Sequence, residues 1–376
     1  MSMLEDPGLR RLWTLLPGAR IVGGAVRDHL LGIVAADIDL AVGLPPDQTM
    51  ARLRAAGVEV IPTGLAHGTL TAVIDHKGYE ITALRRDVAT DGRHAVVEFT
   101  DDWQADAARR DFTINALSMD ENGRVYDYFD GRADLRAGRV RFVGDAGARV
   151  TEDYLRILRF FRFWARFGRI PPDAAAIDAI KAGMAGLTQL SAERIWRELT
   201  GLLATHSPVP ALRLMRQIGV LAVLLPGGAD PERVAALGEA DYLLRFAALA
   251  DQPGQYAGSL RLSRAETGRL AGFCRNILPP VEASDDDLRR ALELDPADHL
   301  IGASRLRGDL PGFQARLAAM PRPHFPLLGR DVMAHGVAAG PKVGQALAMM
   351  RAWWRAGGCV GDRKACLAEL ARRAAG

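Results

Sequence analysis

Cysteine is scarce in this chain of 376 residues: Cys274, Cys359 and Cys366 are the whole complement, and no two of them form a CxxC pair. So few thiols at such spacing point to a reducing compartment with no disulfide framework. The eight histidines do not supply zinc-ligand spacing,. Long apolar runs are missing as well, none reaching the roughly eighteen residues of a membrane helix. The opening MSMLEDPGLRRLW lacks the pattern of a signal peptide, so a cytoplasmic location is expected,. There is no Walker A pattern, no serine or cysteine nucleophile with a matched histidine, no internal repeat and no low-complexity segment. Charge of one sign is also short, with a formal net value of only +3, so the chain as a whole is not an electrostatic magnet for nucleic acid,. At 49% hydrophobic and 25% charged residues it is an ordinary globular composition, long enough for two or more cores,.

What is present concentrates in residues 21 to 39, IVGGAVRDHLLGIVAADID. An apolar strand runs into a Gly-Gly turn, a short helix follows with Arg27, and two aspartates arrive two residues apart. A strand sends residues i and i+2 to one face, which would bring the carboxylates of Asp37 and Asp39 to one point. Magnesium takes hard oxygen ligands, usually one or two carboxylates together with substrate phosphates. Gly23 and Gly24 would let backbone amides approach a triphosphate, and Arg27 would clamp its oxygens with a planar fork. Taken alone, DID also reads as a solvated strand end; the GGxVRD upstream favours the metal site.

Along the chain, residues 1 to about 145 alternate short strands with short helices. Strands are expected at 20–23, 37–42, 58–61, 68–75 and 79–85, with a helix at 46–56. From about 149 onward the pattern turns helical, at 149–167, 173–182, 191–204 and 209–218, and after the break PGGADPE it stays helical to the end. Within EDYLRILRFFRF the arginines Arg156, Arg159, Arg162 and Arg166 recur at helical spacing. Asp153 and Arg156 are surface neighbours on such a helix, whereas Arg162 lies too far round to share a face with Asp153. A salt-bridged surface helix packed through Leu155, Leu158 and Phe161 is the plain alternative.

GGAVRDHLLG followed by DIDLA resembles the opening motif of the class II tRNA nucleotidyltransferases, the CCA-adding enzymes and bacterial poly(A) polymerases of the polymerase-beta-like superfamily. YEITALRRD, RRDFTINAL, DYFDGRADL, VRFVGD, EDYLRILRFFRF and SAERIWREL follow in the order of that family. The resemblance implies an α+β fold, with a mixed-sheet nucleotidyltransferase head (1–145) followed by an all-helical neck (146–205), body (206–300) and tail (301–376). It implies Mg2+ as cofactor, CTP and ATP as substrates and the 3′ end of tRNA as acceptor, with no membrane and no obligate protein partner. Asp37 and Asp39 would be the catalytic metal ligands, with Glu80 of YEITALR as a third catalytic carboxylate. The nucleotide would meet Gly23, Gly24, Arg27, Arg110, Asp111, Asp153, Arg156, Arg159 and Arg162. Asp111 would take the ribose hydroxyl, and Asn115 would brace the motif.

Base chemistry supports the assignment of Asp153 and Arg156. Cytosine and adenine both show an exocyclic amino donor beside a ring-nitrogen acceptor, which an Asp that accepts and an Arg that donates would match. Uracil and guanine present the reverse order. DVATDGRHAVVEFTDDWQAD, residues 87–106, resembles the flexible loop of full CCA-adding enzymes, which is shortened in CC-only relatives. The basic-aromatic block that poly(A) polymerases carry soon after DxD is replaced here by AVGLPPDQ. No histidine is followed by aspartate, which argues against the phosphohydrolase domain of some relatives. Poly(A) synthesis, addition of CC or A alone, and a non-catalytic RNA-binding role are the alternatives. SAERIWREL reads mainly as a structural neck helix capped by Ser191, FPLLGRDVMAHGVAAGPKVGQAL as a tail segment, and Trp353 and Trp354 as core.

Overall fold

The computed structural model describes residues 3–35, 37–65, 68–90, 95–275 and 277–374. The chain divides into two compact units, Met1–Leu224 and Leu225–Gly376. Among the described residues no helix is long and apolar enough to cross a membrane.

In the first unit a seven-stranded sheet forms among the described residues, from β1 (Arg20–Val22), β2 (Asp39–Val42), β3 (Glu59–Gly64), β4 (Thr69–Ile74), β5 (Lys77–Ala83), β8 (Leu117–Met119) and β9 (Val125–Asp127), in the order β3-β4-β5-β2-β1-β8-β9. The sheet is mixed: β2 and β5 run parallel, and the other neighbours are antiparallel. Alternation explains the strands, since β4 buries Leu70, Ala72 and Ile74 while the residues between them stay half-exposed,. A separate hairpin pairs β6 (Arg85–Thr90) with β7 (Ala95–Phe99). The loop expected at 87–106 therefore includes most of a hairpin and returns through a helix at Trp103–Ala108; residues 91–94 lie outside the described residues.

Helices α2 (Gly24–Leu30) and α3 (Pro46–Ala55) pack on the sheet and α1 (Pro7–Leu15) joins its core, while α4 (Trp103–Ala108) packs on β6 and α5 (Gly131–Ala137) on residues 113–115. One core gathers Leu9, Leu12, Trp13, Ile21, Val26, Leu40, Leu70, Ile81 and Leu117, each at most 4% exposed. Beyond the sheet come α6 (Ala146–Glu152), α7 (Leu155–Phe167), α8 (Ala174–Gly183), α9 (Ala192–Leu203), α10 (Val209–Ile218) and α11 (Val220–Leu224). Leu155, Leu158 and Phe161 of α7 are buried, as their spacing predicts,.

Most boundaries shift by a residue or two, and two of the differences fall at functional motifs. The strand expected to begin at 37 begins at Asp39. The helix expected over 149–167 breaks at Asp153, whose backbone is extended (φ −155°, ψ 104°) and whose carboxylate accepts from the Leu155 amide at 3.1 Å. An aspartate able to satisfy the first amides of a new helix competes with continuing the old one.

The second unit is helical from Pro231–Leu237 to Arg363–Ala374, with one core around Leu288, Leu292, Leu300 and Phe313 and another around Val332, Met350, Trp354 and Cys366. Trp354 is 3% exposed, and Trp353 packs on the same cluster, in keeping with the core reading of both. Gly340, at φ 125°, precedes the helix Pro341–Ala356 that carries Lys342.

Candidate active site

The parallel pairing of β2 with β5 sets Asp39 directly opposite Glu80. Neighbours in register on one sheet face bring their side chains together, and Asp37, two residues before the start of β2, joins them in the lining of a cavity of about 950 Å³. For Asp39 and Glu80 the environment is unfavourable for charge. Desolvation raises the pKa of Asp39, Arg110 pulls it down, and Asp37 pushes it up again. Glu80 is likewise raised by desolvation and by repulsion from Asp39 and Asp37, with Arg85 acting against them. Like-charged oxygens held together at such a cost, with no nitrogen or sulfur among them, suit a hard divalent cation. Among the described residues no three His, Cys, Asp or Glu side chains converge as a closed metal cluster. The fit is thus to a site in which two carboxylates share the ion with substrate oxygens.

Gly23 stands at the turn from β1 into α2 with φ 70°, and a Cβ there would lie 2.8 Å from Arg110 Nη1. A side chain would therefore be strained in the backbone and would displace that guanidinium. The expectation that the Gly23 amide approaches a triphosphate is not met, because it donates to the Leu117 carbonyl at 3.0 Å, the bond that ties α2 to β8. What Gly23 supplies is space for Arg110. Arg27 is buried: its Nε donates to Asp28 Oδ1 at 2.9 Å, its Nη1 to Asn115 Oδ1 at 2.5 Å, and it lies over the Phe167 ring at 4.4 Å. Burial lowers its pKa and Asp28 opposes that shift.

RRDFTINAL is locked in place by aromatic packing. Phe112 is fully buried against Phe142, Phe160 and Phe163, with the Phe142 centroid at 4.9 Å. Phe160 and Phe163 belong to α7, so the same contacts bring Asp111 to Arg159. Arg159 donates from Nε to Asp111 Oδ2 at 2.7 Å, while Oδ1 accepts from the Phe112 amide at 2.8 Å and from Asn115 Nδ2 at 3.1 Å. Burial opposes the charge on Asp111, yet Arg159, Asn115 and the Phe112 amide hold its pKa below the ordinary carboxylate value. Asn115 thus bridges Arg27 and Asp111, a bracing geometry. Arg110 pairs with Asp106 of α4 at 3.3 Å, and burial lowers its pKa.

The EDYLR motif reaches the same cavity by a different route from the one expected. Because the helix breaks at Asp153, Asp153 and Arg156 are not stacked on one helical face. Asp153 Oδ2 accepts from Arg194 Nη2 at 2.7 Å, and Arg156 Nη1 donates to Glu152 Oε2 at 2.6 Å. For the same reason Asp153 and Arg162 both line the cavity, although their spacing had separated them.

Every residue singled out from the sequence, Asp37, Asp39, Glu80, Gly23, Gly24, Arg27, Arg110, Asp111, Asp153, Arg156, Arg159 and Arg162, lines this one cavity. Sequence reasoning missed Asp28, Arg109, Arg197 and Glu198, which line it too. Glu198 is only 2% exposed and forms ion pairs with Arg162 Nε at 2.6 Å and Arg159 Nη1 at 3.8 Å. The available signal was an acid one place before Leu199 on the packed side of SAERIWREL, a position that demands a cationic partner. Ser191 occupies the N-cap of α9, but its hydroxyl makes no capping hydrogen bond.

The family model described as "Poly A polymerase head domain" matches residues 19–141, and the one described as "Probable RNA and SrmB- binding site of polymerase A" matches 172–230. The chain is 34% identical over 361 residues to CCA tRNA nucleotidyltransferase 1, mitochondrial, of Mus musculus, covering 90% of this chain and 83% of that protein. It is 39% identical over 217 residues to the CCA-adding enzyme of Geobacillus thermodenitrificans (strain NG80-2), covering 56% and 52% respectively. The crystal structure of the Bacillus stearothermophilus CCA-adding enzyme in complex with CTP superposes with a TM-score of 0.77 at 27% identity, over 98% of both chains. Mixed-sheet head, helical neck and a cavity of carboxylates facing arginines define a nucleotidyltransferase. The chain belongs to the family of CCA tRNA nucleotidyltransferases.

Proposed function

We infer that this protein adds C, C and A without a template to the 3′ end of tRNA, taking them from CTP and ATP and releasing pyrophosphate. The observation that carries the reading is the gathering of a metal-type carboxylate cluster, a row of arginines and the Asp153/Arg156 pair around one cavity. In each cycle the terminal 3′ hydroxyl oxygen bonds to the α-phosphorus and the α–β phosphoanhydride bond breaks. Asp37 and Asp39 would hold divalent metal, Mg2+ by the oxygen donor set, and the metal would supply activation of the hydroxyl and neutralisation of the leaving charge.

This chain's own residues bind and orient. Arg110, with Gly23 making room for it, faces the carboxylates and would take triphosphate oxygens. Glu80 adds charge to the metal face, where Asp39 and Asp37 raise its own pKa. Arg159 and Arg162 are held at the cavity wall by Asp111 and Glu198. Asp111 is fully engaged by the Phe112 amide, Asn115 and Arg159, so a ribose hydroxyl would have to displace one of these bonds. Asp153 and Arg156 would present acceptor and donor to cytosine or adenine, leaving uracil and guanine with unmatched polar groups.

The chain keeps the hairpin that starts at Arg85 and lacks the basic-aromatic block, which supports full CCA addition over CC addition and over poly(A) synthesis. The division into head, neck, body and tail at 145, 205 and 300 follows the same resemblance. We expect a cytoplasmic site; the name of the mouse relative carries the word mitochondrial, and cell fractionation decides between the two.

Asp37→Ala and Asp39→Ala are expected to abolish incorporation of both nucleotides while leaving tRNA affinity within a few-fold, as read by filter binding. Equal loss of RNA binding would make these acids structural. Asp153→Ala is expected to relax base choice; strict retention of CTP and ATP would remove the base-reading role.

A further inference from the structure

A pair that reads a base must not satisfy itself. A carboxylate beside a guanidinium ordinarily closes into a bidentate ion pair, and Asp153 and Arg156 stand only three residues apart. In the structure each is engaged by a different partner. Arg194 of α9 holds one oxygen of Asp153, and the Leu155 amide holds the other. Arg156 is held by Glu152 and by the carbonyls of Arg149 and Arg109, at 3.0 and 3.1 Å.

We propose that Arg194 is a positioning residue for base selection, with Glu152 as its counterpart: together they keep Asp153 and Arg156 apart, so that one offers an acceptor and the other a donor to the nucleobase. This rests on the reading of Asp153 and Arg156 as the base-recognising pair. The hydrogen-bond inventory leaves both able to do so. A guanidinium has five N–H groups; Arg156 uses two on Nη1 and one on Nη2, which leaves Nε–H and one Nη2–H, an adjacent fork. Each oxygen of Asp153 accepts one bond and keeps a second lone pair,. Both residues line the cavity, whereas Arg194 is not part of its lining and acts through Asp153. Its side chain is 35% exposed and that of Asp153 27%, so the pair is partly shielded from solvent and holds a direction without being sealed. Without Arg194, the freed Asp153 would turn to Arg156 and the two would neutralise each other. Choice between CTP and UTP would then rest on shape and stacking, which separate cytosine from uracil poorly.

The test is incorporation by the full chain on tRNA ending before the first C and on tRNA ending in CC, with each nucleotide supplied alone. Wild type is compared with Arg194→Ala, Arg194→Lys, Glu152→Gln and Asp153→Ala, and thermal melting checks that each is folded. Arg194→Ala is expected to lose about tenfold or more of the CTP-over-UTP and ATP-over-GTP ratios of kcat/KM. Arg194→Lys should recover most of that loss, and Asp153→Ala should lose at least as much as Arg194→Ala. Slower Arg194→Ala with unchanged ratios, beside a relaxed Asp153→Ala, overturns the proposal and leaves the base-reading pair standing. Unchanged ratios in Asp153→Ala overturn both. Should Arg194→Ala not fold, Glu152→Gln decides: relaxed ratios support the device, and unchanged ratios contradict it.

Discussion

Asp39 shows how a single residue trades stability for chemistry. Desolvation and Asp37 raise its pKa, and desolvation with both aspartates raises that of Glu80. A carboxyl raised in the folded state stabilises the fold fully below its unfolded pKa, and that contribution is lost as pH rises through the folded value. Metal-free Asp39→Asn should therefore melt above wild type at neutral pH, and the gap should close in acid, where both carboxyls are protonated. Added Mg2+ should raise the melting temperature of wild type and leave that of Asp39→Asn almost unmoved. Calorimetry across pH, with and without the ion, checks all three statements. The metal-type carboxylates were legible in the sequence, because DID and GGxVRD have few other uses together. Gly23 was legible as important, but its reason was not: the Leu117 carbonyl that takes its amide and the Arg110 side chain that needs its missing Cβ are both about ninety residues away in sequence.

At the scale of elements, the site depends on one aromatic joint. Phe112 carries the RDF segment into Phe160 and Phe163 of α7, and Asp111 meets Arg159 because of it. Phe112→Ala should destabilise this unit by about 3–5 kcal/mol and lower affinity for both nucleotides together, as read by denaturant titration and nucleotide binding. The hairpin of β6 and β7 is a second separable element. Replacing 87–97 with a tight turn is expected to leave CC addition and lose the final A, as seen on sequencing gels; unchanged CCA synthesis would contradict the loop assignment. The amphipathic run of 155–167 was readable from its period, and its break at Asp153 was not. A helix-capping aspartate inside a helical pattern looks the same as a charged surface position until the Leu155 amide is seen pointing at it. The three-residue strands β8 and β9 were equally illegible, since each is defined by its pairing partners and is too short to show alternation,. SAERIWREL was read as scaffold, yet Arg194, Arg197 and Glu198 put it in or behind the site.

For the whole molecule, the sequence announced a mixed head followed by helices, and the structure has a mixed sheet in the first unit and helices throughout the second. That much was legible because periodicity changes from two to 3.6 near residue 145. The parallel register that sets Asp39 against Glu80 came from no pattern in the chain, because strand order is a long-range property,. The central claim is that one cavity chooses C, C and A. Its most direct test supplies each of the four nucleotides with Mg2+ to three tRNA substrates, ending before the first C, after CC, and in CCA. The account predicts C addition to the first, A addition to the second, no extension of the third, and no use of UTP or GTP. Long adenosine runs, or extension beyond CCA with any nucleotide, would contradict it.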